Sequence, residues 1–251
     1  MTARPLPGPL TFARFAYPPN ALGYCGPADP DSLLQAAAEG ATARELSVVA
    51  SCFAGAWPYL NLISSSNGIE DPLDSRVVDA YWIGNSLLER VPTSALATQL
   101  QGSFEGRTGG DFASVTEAAL LGGAAHHSFH VFAVYPWLAM LRAGMDGAPL
   151  NVLDQCRIRW GTVRSVDGDI VTVRGRALAI EGRLLVEGAE RVEEARRSLD
   201  GIGFTDDLAP GDAVALHWDW VCQRLSSGPL RRLRSWTGRM LQVVNALPAP
   251  Q

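Results

Sequence analysis

The chain contains no lysine. All 21 of its basic residues are arginine, which excludes Schiff-base chemistry and the phosphate-gripping lysine of a P-loop. Positive charge is also in deficit, with 26 acidic residues and a net charge of −5. A general nucleic-acid binder is basic, so no nucleic-acid partner is expected. No stretch reaches the roughly 18 uninterrupted apolar residues of a membrane span. The opening MTARPLPGPL lacks the apolar core of a secretory signal, so a cytoplasmic protein without a membrane span is expected. Cysteine is scarce. Cys25, Cys52, Cys156 and Cys222 lie far apart and form no CxxC pair, which argues for free thiols against a disulfide framework or zinc finger. There is no G-x-G-x-x-G and no G-x-S-x-G, so dinucleotide-cradle and serine-hydrolase readings lack support.

What is present is a chain of 251 residues, 47% hydrophobic, enough for one large domain or two small ones. Its charge is uneven. Residues 1–150 carry 7 Arg against 13 acids, whereas residues 151–251 carry 14 Arg against 13 acids. That asymmetry suggests two units with different surfaces.

The first thirty residues are rich in Pro and Gly and read as an arm, not a helix. Asp29-Pro30-Asp31 reads as a helix start that runs to Gly40. A second helix is expected from near Thr42, with Leu46, Val49, Ala50, Phe53 and Trp57 on one face, ended or kinked by Pro58. A loop is expected at 64–68 and a third helix from Asp74 to Glu89. A further loop follows at 102–110, with Gly109-Gly110 as breaker, then helices over 112–121 and 126–142. Residues 145–151 read as a linker. Beyond it come short alternating runs punctuated by Asp167-Gly168, Glu181-Gly182 and Pro210-Gly211-Asp212, the signature of β-hairpins in a small barrel or sandwich. Residues 189–200 look like a charged helix interrupting it. Leu230, Leu233, Trp236, Met240 and Val244 put one apolar side on a last helix over 229–247.

Two motifs flank the β-rich stretch. Cys156 is followed by Gly161, Val163 and the Asp167-Gly168-Asp169 turn, and Gly211-Asp212-Ala213-Val214-Ala215-Leu216-His217 closes the stretch. In offsets and order this segment resembles the HypC/HupF family of [NiFe]-hydrogenase maturation chaperones, over about 75 of the 251 residues. The resemblance implies an OB-like barrel whose leading Cys helps hold an Fe(CN)2CO unit. It also implies two partners, another maturation protein and the hydrogenase large-subunit precursor. Carried over, Cys156 becomes the iron- or partner-binding thiolate, with His217 near it. A thiolate suits iron as a soft ligand, and imidazole tolerates it. Arg157 and Arg159 stand beside Cys156 and are expected to lower its pKa. The sequence departs from the family in two ways: its Cys is internal, and residues 187–205 are an insertion. For His217 a structural hydrogen bond stands beside ligation as an alternative, and Cys222 lies close enough in sequence to join a cluster.

The helical half has its own constellation. His126, His127 and His130 fall within five residues. On a helix His126 and His130 share a face, the arrangement by which a helix offers two imidazoles to a metal ion or to haem iron. The glutamate of HExxH is missing, so zinc-protease chemistry is excluded. Cys25, in a Gly-flanked turn, and Glu70, Asp71 and Asp74 are the candidate companion ligands.

The expectation is therefore an α+β protein. Residues 1–148 would form a helical domain with a Pro/Gly-rich arm, 149–226 a HypC-like β-barrel, and 227–251 an amphipathic helix. The expected function is that of an accessory chaperone, handling iron through Cys156 and His217. The alternative is an iron- or haem-dependent enzyme whose site lies around His126 and His130, with His127 and Cys25 as further ligands.

Overall fold

Phe12, Phe15, Ala16 and Tyr17 recur at helical spacing, and all are buried. Their burial turns the proline-rich opening into a helix, α1 (Gly8–Ala21), where an arm was expected. Pro9 sits in the first turn, where its missing N–H is not needed. Pro18 and Pro19 lie near the other end and remove two helical hydrogen bonds. The structure, a computed structural model, describes residues 6–39, 43–106, 112–145 and 147–247. The expected stop at Gly40, the start at Thr42 and the Gly109-Gly110 breaker lie outside the described residues.

Helices α2 (Pro30–Glu39) and α3 (Ala43–Ser51) follow. The Asp29 carboxylate caps α2 by accepting the Ser32 N–H at 3.2 Å. Pro58 does not end a helix. It stands in the first turn of α4 (Trp57–Ser66), which runs into the expected loop at 64–68. The single helix expected over 74–89 is two: α5 (Ser75–Trp82), capped by Asp74, and a 3-10 turn, Ser86–Arg90, capped by Asn85. Gly84, at φ +92°, makes the break, and a Cβ there would stand 2.1 Å from the Trp236 ring. Helices α6 (Thr93–Phe104) and α7 (Phe112–Leu120) precede α8 (His127–Phe129), a π turn (His130–Val134) and α9 (Trp137–Arg142). Most of the expected linker at 145–151 is instead the start of α10 (Ala148–Cys156), with Pro149 in its first turn.

Seven strands follow: β1 (Arg159–Asp167), β2 (Ile170–Glu181), β3 (Leu184–Arg196), β4 (Ser198–Leu199), β5 (Ile202–Gly203), β6 (Ala213–His217) and β7 (Trp220–Leu225). Five of them pair in the ring β1-β2-β3-β7-β6, and β6 returns to β1. The β3–β7 join is a single parallel bridge, Arg196 to Trp220. β4 and β5 form a separate pair. The Asp167-Gly168 and Glu181-Gly182 turns fall where the sequence puts them, with Gly168 at φ +54° and Gly182 at φ +63°. The charged helix expected over 189–200 does not form. β3 pairs with β2 from Leu184↔Glu181 to Arg196↔Ile170, and its charges find partners across the sheet, Glu190 with Arg174 at 4.0 Å and Glu193 with Arg159. A long template strand outweighs the helix propensity of the Glu/Arg run.

Helix α11 (Ser227–Ala246) closes the chain. Leu233, Trp236, Met240 and Val244 are buried, and Arg232 reaches back to the Asp79 carboxylate at 3.0 Å and the Gly84 carbonyl at 2.7 Å. One apolar core runs from Phe12 through Phe129 into Trp160, Ala215 and Trp220, so the helices and the sheet share it. A smaller cluster, including Val163, Val171, Val173 and Val214, fills the sheet's own interior. Among the described residues no helix is long and apolar enough to cross a membrane.

Gly161 shows why a barrel strand needs a glycine here. It pairs with Gly175, and a Cβ on it would stand 2.3 Å from Val173 Cγ1 and 2.9 Å from the Arg174 carbonyl. Gly161→Ala is therefore expected to destabilise the fold by about 1–3 kcal/mol. The urea midpoint is the measurement, and an unchanged midpoint would refute the close approach.

Candidate metal and ligand site at the helix–barrel joint

The site is built around helix α1. Neither Pro18 nor Pro19 has an N–H, so the Phe15 carbonyl finds no donor at i+3 or i+4. His217 fills the gap: its Nδ1 donates to that carbonyl at 2.6 Å. A carbonyl only accepts, so the proton is on Nδ1 and the lone pair is on Nε2. His217 Nε2 is buried and has no hydrogen-bond partner. This is the state in which a histidine presents itself to a metal, its other nitrogen held by a backbone carbonyl.

Two further groups converge on it. His127 and Cys156, with His217, form a set whose ligating atoms all lie within 4.8 Å of one another. His127 comes from the first position of α8, Cys156 from the last turn of α10, and His217 from the end of β6. His127 Nε2 donates to the Cys156 carbonyl at 2.8 Å, and its Nδ1 accepts from the Tyr81 hydroxyl at 3.1 Å. The rings of His127 and His217 stand 5.1 Å apart.

The three groups edge a cavity of about 120 Å³. Tyr24, Cys25, Gly55, Trp82, His130 and Tyr135 also line it. The indole N–H groups of Trp82 and Trp218, both on its wall, are buried without partners. Trp218 adopts φ +52°, rare for a bulky residue, and stacks on Tyr24 at 4.6 Å. Among the described residues no Asp, Glu or Arg lines the cavity.

The histidine expectations divide. His126 and His130 do not share a face, because the helix begins one residue later. His126 is the N-cap of α8, its Nδ1 accepting the Ser128 N–H at 3.1 Å, and its ring lies along Trp236. His127 and His130 are the pair that reaches the cavity. The π turn His130–Val134 starts at the second of them. His130 Nδ1 meets the Tyr59 hydroxyl at 3.0 Å, and its unpartnered Nε2 faces Gly55, where a Cβ would come within 3.1 Å.

Cys25 lines the cavity but is outside the three-residue set. Asn20 holds its turn, donating to the Cys25 and Pro27 carbonyls at 2.8 and 2.7 Å. Gly26, at φ +89°, lets the turn lie on the Phe53 ring. Asp71 and Asp74 are spent on backbone N–H groups at the start of α5, and neither they nor Glu70 reaches the cavity. Cys222 is part of the apolar core and lies outside the set.

Burial dominates the electrostatics. It pushes His126 and His130 down to about 3, His127 to about 4, and His217 well below the usual imidazole value. All four are neutral at pH 7, which suits ligation. Burial pushes the Cys25 thiol up to about 12, and burial together with nearby Cys25 raises Cys156 as well. The expected activation of Cys156 by Arg157 and Arg159 does not occur. Arg157 is engaged by Asp154 at 3.1 Å and the Arg176 carbonyl at 2.7 Å, and Arg159 by Gln155 at 2.7 Å, Glu193 and the Trp218 carbonyl. Without a metal Cys156 is an inert thiol. A bound metal would be what converts it to a thiolate.

The residues of the two motifs that flank the β-rich stretch separate into two kinds. Gly161, Val163 and Gly168 shape or fill the sheet, and Asp212 braces the turn before β6 by accepting the Ala209 N–H at 2.9 Å. Cys156 and His217 are the two that meet at the cavity.

Fold and site define an α+β protein whose helices and sheet share a core, with a His/Cys cluster at their joint. The chain belongs to the Family of unknown function (DUF6390), whose model matches residues 4–251. No curated protein and no solved structure matches it.

The role of the two prolines is testable without a metal. Pro19→Ala restores an N–H that competes for the Phe15 carbonyl. The His217 Nδ1–H resonance in nitrogen-15 imidazole spectra is expected to shift and exchange faster with solvent. An unchanged resonance would show that the carbonyl was never made free by proline.

Proposed function

We propose that this protein is an accessory factor of [NiFe]-hydrogenase assembly. Its barrel docks a maturation partner or the large-subunit precursor, and Cys156 and His217 hold an iron unit as cargo. The observation that carries the reading is the meeting of these two side chains at one buried cavity, their ligating atoms within 4.8 Å. They come from opposite ends of the segment that resembles the HypC/HupF family.

The donor set fits the cargo. A thiolate and a neutral imidazole suit low-valent iron. A divalent ion with one thiolate leaves net positive charge in an aromatic cavity without carboxylates. Iron that arrives with two cyanides turns that single positive charge into a single negative one, which the unpartnered Trp82 and Trp218 N–H groups in the cavity wall are suited to meet as donors. The competing reading, an iron or haem enzyme on His126 and His130, has less support, since His126 caps a helix against Trp236.

The test is anaerobic purification of tagged protein from its native host, with iron analysis, infrared spectra and identification of co-purifying proteins. Iron with cyanide and carbonyl stretches, and a hydrogenase large-subunit precursor or maturation protein alongside, is the expected result. Both iron and stretches should be lost in Cys156→Ala. An iron-free protein that brings down neither partner overturns the reading.

A further inference from the structure

His127 belongs to the helical half, outside the segment that resembles the chaperone family, yet it completes the only three-donor cluster among the described residues. We infer that His127 is the third protein ligand of a transition-metal site with Cys156 and His217, and that Tyr81 switches its tautomer on loading. The inference rests on the proposed metal-handling role of Cys156 and His217, and adds a ligand and a relay to it.

The argument starts from hydrogen bonds. The Cys156 carbonyl only accepts, so His127 Nε2 carries the proton in the empty state, and Nδ1 accepts from Tyr81. Tyr81 has one proton and two acceptors in reach: His127 Nδ1 at 3.1 Å and the Gly55 carbonyl at 3.4 Å. If the Tyr81 hydroxyl turns to Gly55, its oxygen is free to accept. His127 can then carry its proton on Nδ1 and donate it to Tyr81, which exposes the Nε2 lone pair. The Cys156 carbonyl, 2.8 Å from Nε2, loses its donor and has to turn aside to admit the metal, and the Cys156 thiol gives up its proton to solvent. The proton of His127 stays on the ring and only changes nitrogen.

After the switch both imidazoles are held in the same way. His217 donates from Nδ1 to the Phe15 carbonyl, His127 donates from Nδ1 to Tyr81, and both Nε2 atoms are left to bind. Two imidazoles and a thiolate select Fe(II), Co(II) or Zn(II) over Mg(II) or Ca(II). A fourth position is left for a ligand from the cavity. Tyr81 is buried and lines that cavity, as do all three ligands. The helical half therefore closes the site rather than merely covering it.

The test is an anaerobic titration of the metal-free full chain with Co(II), read by absorption and by nitrogen-15 imidazole spectra. Wild type is expected to show a thiolate–Co(II) charge-transfer band with the strong d–d bands of four-coordination. With Zn(II), His127 should change from the Nε2–H to the Nδ1–H form, while His217 stays Nδ1–H throughout. His127→Ala is expected to weaken Co(II) binding by roughly 100-fold or more. Tyr81→Phe, which keeps the ring and removes the relay oxygen, should weaken it by about 10-fold. Circular dichroism verifies that each variant is folded, and Tyr81→Phe serves if His127→Ala is not. If Cys156→Ser abolishes the band but His127→Ala and Tyr81→Phe bind as wild type does, this inference falls and the proposed function stands. If wild type shows no thiolate band at all, this inference falls, and the iron analysis and partner recovery from the native host decide the proposed function separately.

Discussion

Lowering the pH from 7 to about 4.5 is expected to unfold this protein cooperatively. All four of its histidines are buried with depressed pKa values, His126 and His130 near 3 and His127 near 4, against an unfolded value of 6.5. The folded state keeps them neutral, whereas the unfolded chain takes up protons as soon as the pH drops below 6.5. Their contribution is thus fully present above 6.5 and is lost progressively as the pH falls toward 3–4. At pH 5 the unfolded state gains about 2 kcal/mol per ring, and roughly 8 kcal/mol for four rings acting independently. That is comparable to the whole stability of an ordinary domain, about 5–15 kcal/mol. Asp29 and Asp74, both held below the usual carboxylate range by hydrogen bonds to Ser32 and Arg76, act in the same direction at lower pH. The urea midpoint measured from pH 7.5 to 4.5 tests this. His126→Asn should flatten the curve, because Asn still caps α8 but does not titrate. A midpoint that stays level down to pH 4.5 would show the histidines to be solvated.

Much of the sheet could be read directly from the chain. Alternation and the glycine turns at Gly168, Gly182 and Gly211 located β1, β2, β6 and the start of β3, because hairpin geometry is a local property. The tail helix was equally legible from its apolar stripe. The opening helix was not. Pro18 and Pro19 forbid it on local grounds, and their use becomes visible only when His217, some two hundred residues away, takes the freed carbonyl. The charged half of β3 was hidden for a related reason: its Glu and Arg partners are on other strands.

The site was legible as residues but not as a grouping. The motif pairs Cys156 with His217, and the histidine cluster marks 126–130. Their union depends on where α8 begins. Had the helix started one turn earlier, His126 and His130 would share a face. The start at His127, with His126 as cap and a π turn after Phe129, sends His127 and His130 to the cavity instead. Nothing in the local sequence distinguishes those frames. Tyr81 lies in the stretch expected as a helix over 74–89, and its approach to His127 depends on packing that no local pattern shows.

Asp154→Ala is expected to remove about 3–5 kcal/mol of stability and to loosen the site along with the fold. Arg157 is the largest side chain that is fully buried, with 1% of its surface exposed. Burial lowers its pKa, and the adjacent Asp154 carboxylate is the main force holding its charge. Asp154 Oδ1 accepts from Arg157 at 3.1 Å and from the Leu178 N–H at 2.9 Å, and Arg191 lies 2.7 Å from Oδ2, close enough to pair but off the hydrogen-bonding axis. Removing the carboxylate leaves Arg157 with Glu187 at 3.9 Å as its nearest acid and leaves a strand N–H unpaired. Breaking a buried pair by deleting one partner has this magnitude because the other charge stays desolvated. The double variant Asp154→Leu/Arg157→Met should therefore recover most of the loss, since neither charge then remains. The urea midpoints of the single and double variants form the test. The same pair ties α10 to β2 two residues before Cys156, so Asp154→Ala should also weaken Co(II) binding, whereas the double variant should restore it only in part. Equal midpoints for wild type and Asp154→Ala would mean that solvent, not Asp154, satisfies Arg157.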